Sequence, residues 1–215
     1  MYVPTHFAFP EGALAELHDL IEAQTFGTLV APGDGSPDSK SGLQAVHMPF
    51  VLDRAAGRYG TLAGHVARAN PVWRTFAPGR EVLVIHQEPH CYVSPDWYAS
   101  SGLVPTWNYV AVHCYGTPRI VEEPQAVVAH LAQLSAHSEE RLRPKRAWTL
   151  DKLKPATLSA LTRQIVALRI EITRIEGKRK LNQNRSAADR AGVIRALDHS
   201  ARADDRDIAA AMRAL

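Results

Sequence analysis

Short apolar runs that alternate every second residue, cut by turn residues, restrict this chain to a β-rich fold. In YVAVHCYG (109–116), Val110, Val112 and Cys114 alternate with Ala111, His113 and Tyr115, the period of a strand with two different faces. EVLVIHQ at 81–87 is β-branched and apolar and predicts a buried strand. Further strands are predicted at 25–31 (TFGTLVA), 43–52 (LQAVHMPFVL), 60–67 (GTLAGHVA) and 168–176 (LRIEITRIE). Pro49 marks an edge or bulge in the second of these, and the step from Ile172 to Ile175 marks a bulge in the last. Residues 90–93 and 109–121 read as a hairpin-like pair around an aromatic loop. Six or so short strands joined by short turns predict a small barrel or sandwich.

Helical periodicity flanks these strands. Residues 11–24 carry Leu14, Leu17 and Ile21 on one face, with Pro10 and Glu11 suited to the first turn. Residues 124–138 and 155–167 predict two more helices, the first with Val127, Val128, Leu131 and Leu134 inward and the second opening on Pro155. From Ser186 on, the tail predicts two helices, with capping-box spacing at Ser186/Asp189 and Asp204/Asp207. PGDGSPDSKSG at 32–42 predicts an exposed loop. No repeat or linker interrupts the 215 residues, so one domain is expected over 1–215, with 185–215 as a helical extension. With 46% hydrophobic residues a real core is within reach, and global disorder is not expected. A net charge of +3 tolerates anions but is no nucleic-acid footprint. Two cysteines without CxxC spacing indicate neither a disulfide framework nor a zinc site. The opening MYVPTHFAFPEG lacks a targeting pattern, and no apolar run approaches ~18 residues, so a cytoplasmic protein with no membrane partner is expected.

Three stretches carry chemistry. Between Cys91 and Gly116, Trp97, Tyr98, Trp107 and Tyr109 are interleaved with Ser94, Ser100, Ser101, Thr106 and Asn108, the composition of a pocket for a flat ligand. The plainer reading is a hairpin whose aromatic residues are core. In GHVARANPVW (64–73), His65, Arg68 and Asn70 lie within a turn of each other, and a guanidinium fork suits a phosphate. The alternative is that Arg68 caps a carbonyl and Asn70-Pro71 forms a turn. GKRKLNQNR (177–185) is either an anion site or a solvated basic turn, with Gln183 and Asn184 favouring a ligand.

The ten histidines include His47, His65, His86, His90 and His113 on or beside strands, yet no HxH or HExxH spacing occurs, so no metal is expected. Ser94 and His90 lack a nucleophile elbow and a partnered acid. In the tail, arginines 185, 190, 195, 202, 206 and 213 are nearly cancelled by aspartates 189, 198, 204, 205 and 207. DNA remains a possible partner without a strong DNA-reading motif, and packing or dimer contact fits the tail better.

Taken together, GHVARANPVW, CYVSPDWY, LVPTWNYVAVHCYG and IEGKRKLNQNRSAADRAGVI resemble the PaiB family of FMN-binding negative transcriptional regulators, and MYVPTHF and TFGTLV fit as well. The resemblance spans essentially the whole chain. It implies an α+β fold: a split β-barrel similar to pyridoxamine phosphate oxidase, with peripheral helices and a C-terminal helical tail. It also implies a homodimer with FMN at the interface. By matching position it gives His65, Arg68 and Asn70 to the cofactor, with Arg68 on the phosphate, and adds Ser94 and Trp97. Thr106, Trp107 and Asn108 would line the flavin ring or its ribityl chain, and Lys178, Lys180, Gln183 and Asn184 would close the site. Arg179 stands where the family has Trp, Asn182 where it has Ser, and HQEPHCY where it tends to have a Phe-Gln-Gly-Pro run. No catalytic residue is assigned. Besides a flavin-binding regulator, an FMN-dependent oxidoreductase of the flavin reductase kind and a haem-binding split barrel remain open.

Overall fold

The alternating runs become six strands in the computed structural model, which describes residues 1–33 and 42–215 and leaves the side chain of Glu88 aside. They are β1 (Phe26–Pro32), β2 (Leu43–Asp53), β3 (Thr61–Ala67), β4 (Val82–Val93), β5 (Thr106–Val121) and β6 (Ile165–Lys180). They close into a barrel in the order β1-β2-β3-β6-β5-β4. β1 is antiparallel to β2 and to β4, β2 to β3, and β3 to β6. Register follows the apolar pattern: Leu29 faces Val46 and Val84, and Leu62 faces Leu52 and Ile170. Pro49 pairs with Phe26 on β1, while the β2–β3 pairing begins only at Phe50. Its missing N–H therefore breaks no ladder bond to β3. The predicted loop at 32–42 falls largely on residues 34–41, which lie outside the described residues.

Several boundaries moved for physical reasons. β4 runs unbroken through Pro89, merging two predicted runs into one strand. The predicted helix at 155–167 ends at Thr162 (α3, Pro155–Thr162), because from Ile165 onward the chain pairs with β3, Ile165 against Ala67 and Val166 against Val66. Along β6, Val166, Leu168, Ile170 and Ile172 are buried, and Lys178 keeps the same phase. The remaining helices are α1 (Leu14–Ala23), α2 (Pro124–Glu140), α4 (Ala187–Asp198) and α5 (Ala203–Arg213). Among the described residues no helix is long and apolar enough to cross a membrane.

Two compact units can be distinguished. The first comprises Met1–Leu17, His86–His113 and Glu176–Leu215, and the second His18–Ile85 and Cys114–Ile175. The second unit contains part of every strand. Its core is made by Leu29, Phe50, Leu62, Val84, Leu168 and Ile170, all essentially without exposure. Here Gly116 lets β5 approach β6 closely, since a Cβ at that position would lie 2.2 Å from the Glu171 carbonyl oxygen.

In the first unit the spacing of Ser186 and Asp189 yields an N-cap on α4. The Asp189 N–H donates to Ser186 Oγ at 3.1 Å. The Asp189 carboxylate then accepts from the backbone N–H of Ser100 at 2.8 Å, fastening the loop after Trp97 to α4. A Cβ on Gly192 of α4 would lie 2.0 Å from the Trp97 carbonyl oxygen, so the same contact is closed from both sides. The Asp204/Asp207 cap does not form. Instead Ser200 Oγ donates to Asp205 Oδ2 at 2.6 Å ahead of α5.

Gly116→Ala is expected to force β5 and β6 apart and to lower stability by about 1–3 kcal/mol. Urea unfolding reads this out, and an unchanged midpoint would contradict the close approach.

Candidate functional site

In the second unit the chain leaving β3 builds a cleft. Arg68 Nε donates to the Arg163 carbonyl and Nη2 to the Ile165 carbonyl, both at 2.8 Å. Trp73 Nε1 donates to the Arg68 carbonyl at 3.0 Å. Asn70 Oδ1 caps the 3₁₀ turn Pro71–Thr75, accepting from the Val72 N–H at 3.0 Å. The resulting cavity of about 540 Å³ lies within the size range of ligand pockets. Arg68, Trp73, Ser159 and Arg163 line it against an apolar wall of Ile120 and Val166. The carbonyl-capping reading of Arg68 is thus observed. A guanidinium has five N–H donors; two hold carbonyls, which leaves three. His65 is tied elsewhere, its Nδ1 lying 3.1 Å from Nε2 of His130 on α2.

The first unit holds a second recess, about 390 Å³, lined by His90, Trp107, Tyr109 and His113 among others. Strand alternation decides this lining. Trp107 is 54% exposed, whereas the next residue, Asn108, is fully buried on the opposite face. Asn108 Nδ2 meets Met212 Sδ of α5 at 3.5 Å, and its Oδ1 has no hydrogen-bond partner among the described residues. Thr106 and Trp107 are brought together with Lys180, whose Nζ donates to Thr106 Oγ1 and to the Trp107 carbonyl. Lys178 is buried, its Nζ donating to the Tyr2 carbonyl at 3.1 Å.

Other predicted residues shape the backbone. Ser94 Oγ caps the 3₁₀ turn Pro95–Trp97. Gln183 uses both ends of its amide, accepting from the Leu181 N–H at 2.8 Å and donating to the Arg179 carbonyl at 2.7 Å. Asn184 is exposed. Arg179, in the family's Trp position, pairs with Glu16 at 2.7 Å and lies 4.6 Å from the Phe9 ring centroid.

Sequence reading missed three contributors. Ser159 and Arg163 were hidden in what read as an ordinary helix. Asn182 adopts a positive φ of 61° and donates to Tyr98 Oη at 3.3 Å; an Asn in a basic turn was its only signal. Two of the tail arginines are engaged locally, Arg213 with Asp198 at 2.8 Å and Arg206 with the Ser200 carbonyl at 2.7 Å. Burial pushes both buried thiols, Cys91 and Cys114, up to about 12, so neither is a ready nucleophile.

Residues 1–174 match the family described as "Putative FMN-binding domain". The chain is 33% identical over 212 residues to protease synthase and sporulation protein PAI 2 of Bacillus subtilis, covering 99% of this chain and 96% of that protein. Among solved structures it is similar in fold to flavocytochrome Anf3 of Azotobacter vinelandii (TM-score 0.57, 12% identity, 83% of this chain and 72% of that one). It is also similar to the FAD and heme binding protein of Mycobacterium smegmatis (TM-score 0.52, 20% identity, 77% and 70%). These likenesses bear out the split-barrel fold that the sequence blocks imply.

The His65–His130 pair is a partly buried titratable element of the second unit. Burial first, then His65 and Arg169, push His130 down to about 4, and burial lowers His65 as well. A histidine whose folded pKa lies below its unfolded value of about 6.5 contributes fully above that pH. Its contribution is lost as the pH falls towards 4, at up to roughly 1.4 kcal/mol per pH unit for one group. Urea unfolding between pH 7 and 4.5 is expected to show this loss, and His130→Gln to flatten it. A His130 ring that titrates near 6.5 by NMR would contradict the pairing.

Proposed function

Because the chain belongs to this FMN-binding domain family, we propose that it holds FMN with the phosphate at Arg68 and that residues 1–215 work as one FMN-binding domain. The observation that carries this reading is the Arg68 cleft. Three guanidinium N–H groups remain after the two carbonyl caps, beside the Arg163 side chain, the Ser159 hydroxyl and the indole of Trp73. A charge-assisted, forked donor beside an aromatic ring and an apolar wall fits a phosphorylated flat heterocycle.

The resemblance also gives Thr106 and Trp107 to the flavin. In a homodimer with cofactor at the subunit interface, those residues and Arg68 need not belong to the same copy. We assign the protein to the cytoplasm and to flavin-linked control of gene expression. The relative's name, protease synthase and sporulation protein, is what supports that role. With Arg206 and Arg213 engaged inside the tail, the chain is better suited to act through a partner than by reading bases itself.

Added FMN is expected to give the paired flavin absorption bands on the protein, whereas a Soret band would speak for haem. Arg68→Ala should weaken FMN by about 1.5–3 kcal/mol, roughly ten- to hundredfold in Kd. Riboflavin, which lacks the phosphate, should bind both forms alike. Equal FMN affinity in the two proteins would overturn the assignment, and equal losses for FMN and riboflavin would reduce Arg68 to a prop for the Arg163 and Ile165 carbonyls.

A further inference from the structure

We propose that Lys178, Lys180 and Arg185 form a binding site for a phosphate-type oxyanion, built from residues other than those of the Arg68 cleft. Lys178 and Lys180 stand two apart on β6 and so share a face, and Arg185 follows in the next turn. A basic stretch is usually a solvated surface, but here one of its cations is buried. Lys178 is only 8% exposed.

Its ammonium has three N–H donors and makes one hydrogen bond, to the Tyr2 carbonyl. Lys180 makes two, to the Thr106 hydroxyl and the Trp107 carbonyl. Every one of these acceptors is neutral. The other close company is aromatic: the Tyr109 ring centroid lies 5.3 Å from Lys178 Nζ, and the Tyr98 centroid 5.5 Å from the Arg185 guanidinium.

Among the described residues no carboxylate forms an ion pair with any of the three cations. The acids of the same region are committed elsewhere, Glu16 to Arg179 and Glu176 to the terminal amine of Met1. The Lys180 amine is lowered first by burial and then by Lys178 and Arg185, as expected for crowded like charges. A tetrahedral oxyanion supplies both missing features, acceptor oxygens for the spare N–H groups and negative charge at a site where solvent screens poorly. Lys180 and Arg185 are partly exposed and would touch it, while Lys178 would add charge from behind.

Isothermal titration of the full chain with sodium pyrophosphate, with and without FMN, tests this site separately from flavin binding, which is read by absorbance. Wild type is expected to bind one pyrophosphate under both conditions, more weakly as salt is raised. Lys180→Met and Arg185→Gln should each weaken it at least tenfold, and Lys180→Arg should restore most of the affinity. A parallel titration with ADP separates a nucleotide phosphate, which binds more tightly than pyrophosphate, from a free oxyanion, which does not. No binding, binding indifferent to both variants, or displacement of pyrophosphate by FMN would each overturn the inference. Displacement would return these cations to the flavin site.

Discussion

The alternation of the strands is the constraint from which the rest follows. Once the strands are paired side by side, each side chain's face is fixed by its parity. On β5 this sends Trp107 and Tyr109 to an open recess and buries Asn108, Val110 and Val112 on the other side. A continuous block such as VPTWNY is therefore not a continuous site. Trp107 and Tyr109 line the recess, and Asn108 holds the strand from the other side by meeting Met212 of α5.

The fold was largely legible because period-two patterning and barrel pairing obey the same physics. TFGTLVA, LQAVHMPFVL, GTLAGHVA and EVLVIHQ all became strands close to where they were read. What misled was local likeness between short apolar runs. Ile165 and Val166 continue a helical pattern from Leu158 and Leu161, yet pairing with Ala67 and Val66 makes them strand. Cap spacing was informative where the carboxylate had a second task. Ser186 caps α4 by accepting from the Asp189 N–H while the Asp189 carboxylate grips Ser100, whereas α5 has no side-chain cap and Ser200 donates to Asp205 ahead of it.

The candidate site was legible by residue type and less so by role. Arg68, Lys178 and Lys180 were identifiable as cations in unusual company, but not which of their donors the backbone would consume. Gln183 illustrates the limit. Its position among cations suggested a ligand contact, and its amide instead closes the turn from both ends. Ser159 and Arg163 gave no signal, since only the packing of α3 brings them to the Arg68 cleft. The same holds for His65, whose partner His130 lies on a helix that nothing in the HVARANP block could indicate.

Arg68 ties these threads together, because one guanidinium both fixes the carbonyls at the start of β6 and keeps donors for a ligand. A crystal structure of the FMN-loaded protein examines that double duty most directly. The phosphate should lie on the Arg68 guanidinium, beside Ser159 and Arg163, with both carbonyl caps still in place. A phosphate bound away from Arg68, with the guanidinium serving the two carbonyls alone, would contradict the account.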